Sequence, residues 1–224
     1  MASGSPAAAR MPVIQAKHFL LALFGMMMVV TFVTRDRQLL DPNSFLRQRY
    51  AAIPVLMILH GVPGALALFL GLLQFSSRLR QRYLQVHRIM GRIYVGSVLI
   101  SGPAAVIVSL RLRTPGLTMA SVIQTSGWIL ATLTALYCVR TGKIQQHREW
   151  MMRSYPFAAV FVAVRTILAI PAVQRAGLIG LQETVWSVIA VACFLPSFVI
   201  EWQHLAANRR ITKAHAATTA AGSI

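Results

Sequence analysis

Six stretches of the chain stay apolar over long distances, at about 18–33, 52–75, 92–110, 117–139, 155–173 and 184–201. None alternates apolar and polar residues with the period of two that marks a half-buried strand. At a rise of 1.5 Å per residue, runs of this length cross, or nearly cross, a hydrocarbon core about 30 Å thick. Lipid offers the backbone no hydrogen-bond partners, so continuous apolar runs are read as transmembrane helices rather than barrel strands. The expected fold is all-α: a polytopic transmembrane helix bundle of about six spans over residues 18–204. Residues 1–17, small and polar, predict a disordered cytoplasmic tail, and 205–224 a disordered basic one.

The first run follows Arg10 and Lys17 as a signal peptide would. No small-x-small cleavage pattern follows, and the chain passes directly to Thr34-Arg35-Asp36-Arg37, so an uncleaved anchor helix is expected. Pro54 and Pro156 fall in the first turns of their runs, where the ring is tolerated. Pro63, Pro103, Pro171 and Pro196 fall deeper and predict kinks.

Composition agrees. Of 224 residues 56% are hydrophobic and 12% charged, where a soluble domain carries roughly 25% charged residues. The net charge of +17, from 22 Lys and Arg against 5 Asp and Glu, raises the question of nucleic acid. The basic residues lie between apolar runs and no nucleic-acid motif accompanies them, so no nucleic acid is expected. They are read as topology signals and as contacts for anionic lipid headgroups at inner loops. With the N-terminus inside, the inner segments hold 14 Lys and Arg and the outer ones 7, which places both termini in the cytoplasm. Cys138 and Cys193 stand alone in apolar runs and read as small buried residues.

Two constellations could carry chemistry. The first is intramembrane. Arg165 is a charge inside the fifth run, His60 lies at matching depth in the second, and Ser101 and Gln124 fall at a similar level in the third and fourth. From His60, helical stepping reaches Gly64, Ala67, Gly71 and Gln74, a narrow small-and-polar stripe suited to close helix packing. A charge in a span is costly and faces the bundle interior with a partner, which makes His60, Arg165, Gln124 and Ser101 a candidate polar site. A hydrogen-bonded cluster that merely fixes the bundle explains them equally well.

The second constellation is a repeat. His87-Arg88-x-x-Gly91-Arg92-x-Tyr94 precedes the third run and His147-Arg148-x-Trp150-Met151-x-Arg153-Ser154-Tyr155 the fifth, 60 residues apart. Arginine and tyrosine at a membrane boundary suit lipid phosphate and the interface. The sharper reading pairs the histidines: two imidazoles from two helices hold a haem b iron from both sides, with Arg88, Arg92, Arg148 and Arg153 on the propionates. Imidazole also suits other transition metals, so His87 and His147 are equally candidate metal ligands. There is no phosphate loop and no nucleophile elbow, and few acids are available for carboxylate-pair chemistry.

Together with His60-x-x-x-Gly64-Ala65-x-Ala67-x-x-x-Gly71-x-x-Gln74-Phe75, Arg78-x-Arg80-x-Arg82 and Arg165, these motifs resemble a family of predicted bacterial membrane proteins, domain of unknown function 2306, over about residues 50–173. The resemblance implies a multi-pass protein of a bacterial inner membrane and brings no activity with it. Three functions remain open: a haem-binding redox or quinone-linked protein, a small-solute transporter using the His60–Arg165 level, and a structural or anionic-lipid-binding protein. A homo-oligomer is left open as well.

Overall fold

The computed structural model describes residues 22, 25–33, 40–114 and 116–221. The expected tail at 1–17 and the start of the 18–33 run lie outside the described residues. Among those described, every regular element is a helix. The chain divides into two compact units, one ending at Gln48 and the other starting at Arg49. In the first, residues 25–33 form helix α1. Asp41 Oδ1 accepts from the Asn43 N–H at 2.9 Å in a tight turn. Ser44 then caps α2 (Phe45–Tyr50), its Oγ accepting from the Arg47 N–H at 3.1 Å.

The second unit contains α3 (Pro54–Gln74), the short α4 (Ser77–Arg82), α5 (Leu84–Leu112), α6 (Leu117–Arg140), α7 (Ile144–Ile167), the short α8 (Pro171–Arg175) and α9 (Gly177–Ala221). α3 lies on α5, α5 on α6, α6 on α7, and α7 returns to α3, which closes a four-helix bundle. α9 packs outside it, mainly on α7. Short connections make neighbours antiparallel, so α5 and α7 run parallel across the diagonal.

Among the described residues, four helices are long and apolar enough to cross a membrane: Pro54–Gln74, Leu84–Leu112, Leu117–Arg140 and Gly177–Ala206. α7 stands where the fifth span is expected. It begins at Ile144, eleven residues earlier, and its first half carries His147, Arg148, Glu149 and Arg153. Pro156 therefore sits inside a helix rather than in a first turn. Pro171, expected to kink the fifth span, starts α8 instead. The last helix runs on through residues 205–221, where the sequence suggests a tail.

The bundle is inside-out relative to a soluble core. Leu66, Phe69, Ile100 and Leu130 are exposed on its flanks, while Ala67, Gly71, Ala131 and Ala135 are buried between helices. Lipid is as apolar as leucine, so large residues gain little by turning inward and small ones let backbones approach. Of the stripe stepped out from His60, Ala67, Gly71 and Gln74 lie on the buried face of α3, together with Leu68, while Gly64 is half-buried. Gly71 is its tightest point. A Cβ there would come within 2.6 Å of the Tyr155 ring and 2.9 Å of the Tyr94 ring. Gly71→Ala is expected to destabilise the bundle by about 1–3 kcal/mol through overpacking. Gly61→Ala, where a Cβ meets nothing within 4 Å, is expected to be near neutral. Unfolding in detergent micelles measures both.

Candidate functional site

At the centre of the bundle four buried side chains bond to one another. The Thr132 hydroxyl donates to the Trp128 carbonyl at 2.7 Å. That leaves the Ser154 hydroxyl to donate to Thr132 Oγ1 at 2.7 Å, and Tyr94 O–H to donate to Ser154 Oγ at 2.8 Å. The Trp128 indole N–H donates to the Tyr94 oxygen at 3.2 Å. The chain of donors starts and ends on Trp128, and each hydroxyl donates once and accepts once. Tyr94, Thr132 and Ser154 are fully buried, so satisfying every group is the condition for holding them there. The circuit ties α5, α6 and α7 together, and Tyr155 O–H extends it to α3 by donating to the Leu68 carbonyl at 3.2 Å.

Above this circuit the outer-level residues form two clasps. Ser101 Oγ donates to the His60 carbonyl at 2.8 Å. His60 Nδ1 lies 3.1 Å from the Ser101 carbonyl, which accepts in the Nδ1–H tautomer. Gln124 Nε2 donates to the Phe157 carbonyl at 3.2 Å, joining α6 to α7. Arg165 lies in the last turn of α7, which ends at Ile167. Its guanidinium carbon is 3.8 Å from the Phe161 ring centroid, a cation–π contact. A cation in the last turn also meets the negative end of the helix dipole. The four residues placed at one level by the sequence thus divide: His60 and Ser101 meet, Gln124 goes to Phe157, and Arg165 goes to Phe161.

Below the circuit, at the end that the Lys and Arg bias of the sequence predicts to be inner, lies the inner mouth. Tyr94 and Ser154 are 60 residues apart, the same offset as the two His-Arg motifs. Because α5 and α7 are parallel, His87 and His147 each sit seven residues below this bond, about 10 Å along their helices. The His147 Nδ1–H donates to the Ala135 carbonyl at 2.9 Å, which turns Nε2 the other way. His87 Nδ1 is buried with no protein partner. The His87 imidazole is within electrostatic reach of Arg80, His147 and Arg88. Arg80, on α4, is drawn below the ordinary arginine value by burial and then by the Arg148 guanidinium. Gln74 braces the mouth, donating to the His87 carbonyl at 3.0 Å, and Arg80 donates to the Gln74 carbonyl at 3.5 Å.

The other motif arginines face elsewhere. Arg153 lies over the Trp150 ring at 5.1 Å and donates to Ser197 Oγ of α9 at 3.3 Å. Arg88 and Arg92 line an open groove on α5 with Leu84, Gln85 and Ile89. In the sequence Arg80 belongs to the Arg78-x-Arg80-x-Arg82 run, read as a lipid contact and not as a neighbour of the histidines, and His204 has no role. Arg80 lies in a separate short helix outside both motif copies. His204 Nε2 lies 3.1 Å from Glu149 Oε1, a contact across 55 residues without a local signal. Among the described residues no group of three or more His, Cys, Asp or Glu side chains is arranged to hold a metal ion.

Breaking the central circuit is expected to cost stability. Tyr94→Phe removes the donor to Ser154 and the acceptor for the Trp128 N–H, for a loss of about 1–3 kcal/mol. Tyr137→Phe, at a side chain 61% exposed, is expected to change stability by less than about 0.5 kcal/mol. Thermal unfolding in detergent, followed by circular dichroism, distinguishes them.

No curated protein and no solved structure matches the chain. Residues 57–204, comprising α3 from Met57 onward, all of α4 to α8 and α9 as far as His204, match the family model described as predicted membrane protein (DUF2306). The match covers well over half of the chain and includes the central circuit and the inner mouth. With its apolar helices, this protein is an integral membrane protein and belongs to that family.

Proposed function

We propose that the protein is a haem-binding redox protein of a bacterial inner membrane, in which His87 and His147 would hold one haem b. The observation that carries this reading is their placement at equal depth on parallel, diagonally opposed helices, in register with the Tyr94–Ser154 bond. Cofactor sites of four-helix bundles are built in this way, from side chains projecting inward from facing helices.

The donor set fits the group. Imidazole nitrogen is a ligand that haem iron takes, and the two histidines would hold it. The His147 Nδ1–H bond to Ala135 fixes its tautomer and ring orientation, as backbone carbonyls do for ligating histidines. The buried, unpartnered His87 Nδ1 is a nitrogen whose desolvation the chain itself leaves uncompensated. Arg80 and Arg148 would supply guanidiniums for the propionates, Arg80 standing in for the motif arginines Arg88, Arg92 and Arg153. Bound haem supplies one-electron transfer between ferric and ferrous iron. The chain holds the ligand rings in orientation, keeps the site under the closed circuit and balances propionate charge. In this reading His60–Ser101 and Gln124–Phe157 are helix clasps, and the Lys and Arg bias puts the haem end at the cytoplasmic side.

The test is an absorption spectrum of the protein purified in detergent after expression with haem supplied, first oxidised and then reduced with dithionite. A Soret band with split bands in the reduced form is expected. His87→Ala and His147→Ala should each abolish the six-coordinate spectrum, and Arg165→Ala should retain it. A featureless visible spectrum from monodisperse wild-type protein would overturn the proposal.

A further inference from the structure

The inner end of α5 presents a second feature that the haem reading does not use. Leu84, Gln85, Arg88, Ile89 and Arg92 line an open groove of about 590 Å³. Arg88 and Arg92 are one helical turn apart and both exposed. No Asp or Glu occurs anywhere from Ser77 to Leu112, so neither guanidinium has an acid on its own helix or on α4. Beside them Leu84 is 47% and Ile89 49% exposed. The exposed apolar face continues along the helix through Ile93, Ile100 and Ile107. These isoleucines follow Ile89 in steps of four, seven and seven, and so share one face of α5.

We infer that this groove is a binding site for an anionic diacyl phospholipid. Arg88 and Arg92 take the headgroup phosphate, and the Ile89–Ile93–Ile100–Ile107 face takes an acyl chain. The two halves of the patch require an amphiphile: guanidiniums clustered without acids call for a phosphate or carboxylate. A row of exposed isoleucines leading away from them calls for hydrocarbon. A soluble acidic partner would satisfy the arginines and leave the isoleucines uncovered. The polar helix α4 and the exposed Tyr83 immediately before the groove mark the level of the headgroups. The site does not rest on the haem reading, because Arg88 and Arg92 line it on the exposed side of α5, although Arg88 is also within electrostatic reach of the adjacent His87.

Native mass spectrometry of the full-length protein in detergent tests the inference, with phosphatidylglycerol, phosphatidylcholine and inorganic phosphate as separate probes. Wild-type protein is expected to retain phosphatidylglycerol in preference to phosphatidylcholine, with inorganic phosphate not displacing it. The double variant Arg88→Gln/Arg92→Gln should weaken phosphatidylglycerol binding by about tenfold or more. Arg111→Gln/Arg113→Gln, at the other end of α5, should leave it unchanged. Ile89→Glu, which keeps both arginines and adds a negative charge to the groove, should weaken it as well. This second variant decides the matter if the first does not fold. Equal retention of the two lipids, competition by free phosphate, or undiminished binding in a folded groove variant would overturn the assignment.

Discussion

A hydroxyl group inside a membrane protein has nowhere to turn except another protein group, and the circuit through Trp128, Tyr94, Ser154 and Thr132 follows from that constraint. Its direction is set by arithmetic. The indole N–H can only donate, a carbonyl can only accept, and each hydroxyl between them must do one of each. Three hydroxyls therefore fit, in one order. An added or missing hydroxyl would leave a buried group unsatisfied, at a cost comparable to a whole hydrogen bond. Because its members come from α5, α6 and α7, the circuit also sets helix register. A slide of α5 against α7 by one residue would carry Tyr94 away from Ser154.

That register carries down to the inner mouth. α5 and α7 are parallel, so matched residues at one level imply matched residues two turns below, and His87 and His147 are such a pair. The close helix approach that this demands is met by small residues. Gly71 leaves room for the Tyr155 and Tyr94 rings, and Gly127 for the end of Phe157, whose ring would stand 2.8 Å from a Cβ there. Aromatic bulk from one helix thus occupies the space glycine leaves on its neighbour, a packing device suited to lipid, where apolar burial brings little gain.

Much of this was legible in the sequence. Apolar runs announce spans because hydrocarbon demands them, and the stripe from His60 to Gln74 announces a buried face because only one side of α3 is small. The offset of 60 between the His-Arg motifs announced the parallel pair, and Tyr94 and Ser154 are its bonded members. What the sequence did not convey depends on helix ends and on tertiary phase. α7 begins at Ile144 because a helix continues through polar residues once other helices pack on it, which hydropathy does not register. Its end at Ile167 makes Arg165 a last-turn residue beside Phe161 rather than a mid-span charge. Trp128 and Thr132 carry no local mark of the circuit, since one turn of any helix can hold such a pair.

The arginines show how tertiary placement sorts residues that look equivalent along the chain. Arg153 is absorbed by Trp150 and by α9, and Arg88 and Arg92 face the groove. Arg80 stays close enough to Arg148, and to His87, for these charges to oppose one another. Glu149, next to Arg148 in sequence, is engaged with His204 and with the Gln145 amide at 2.9 Å. Like charges gathered while the nearby acid points elsewhere raise the energy of the mouth, and an anionic group from outside the chain would lower it. In the proposed reading, haem propionates would bring that charge, and the two imidazoles would hold the iron. One ligand would then relieve both the crowding of the guanidiniums and the uncompensated burial of the His87 nitrogen.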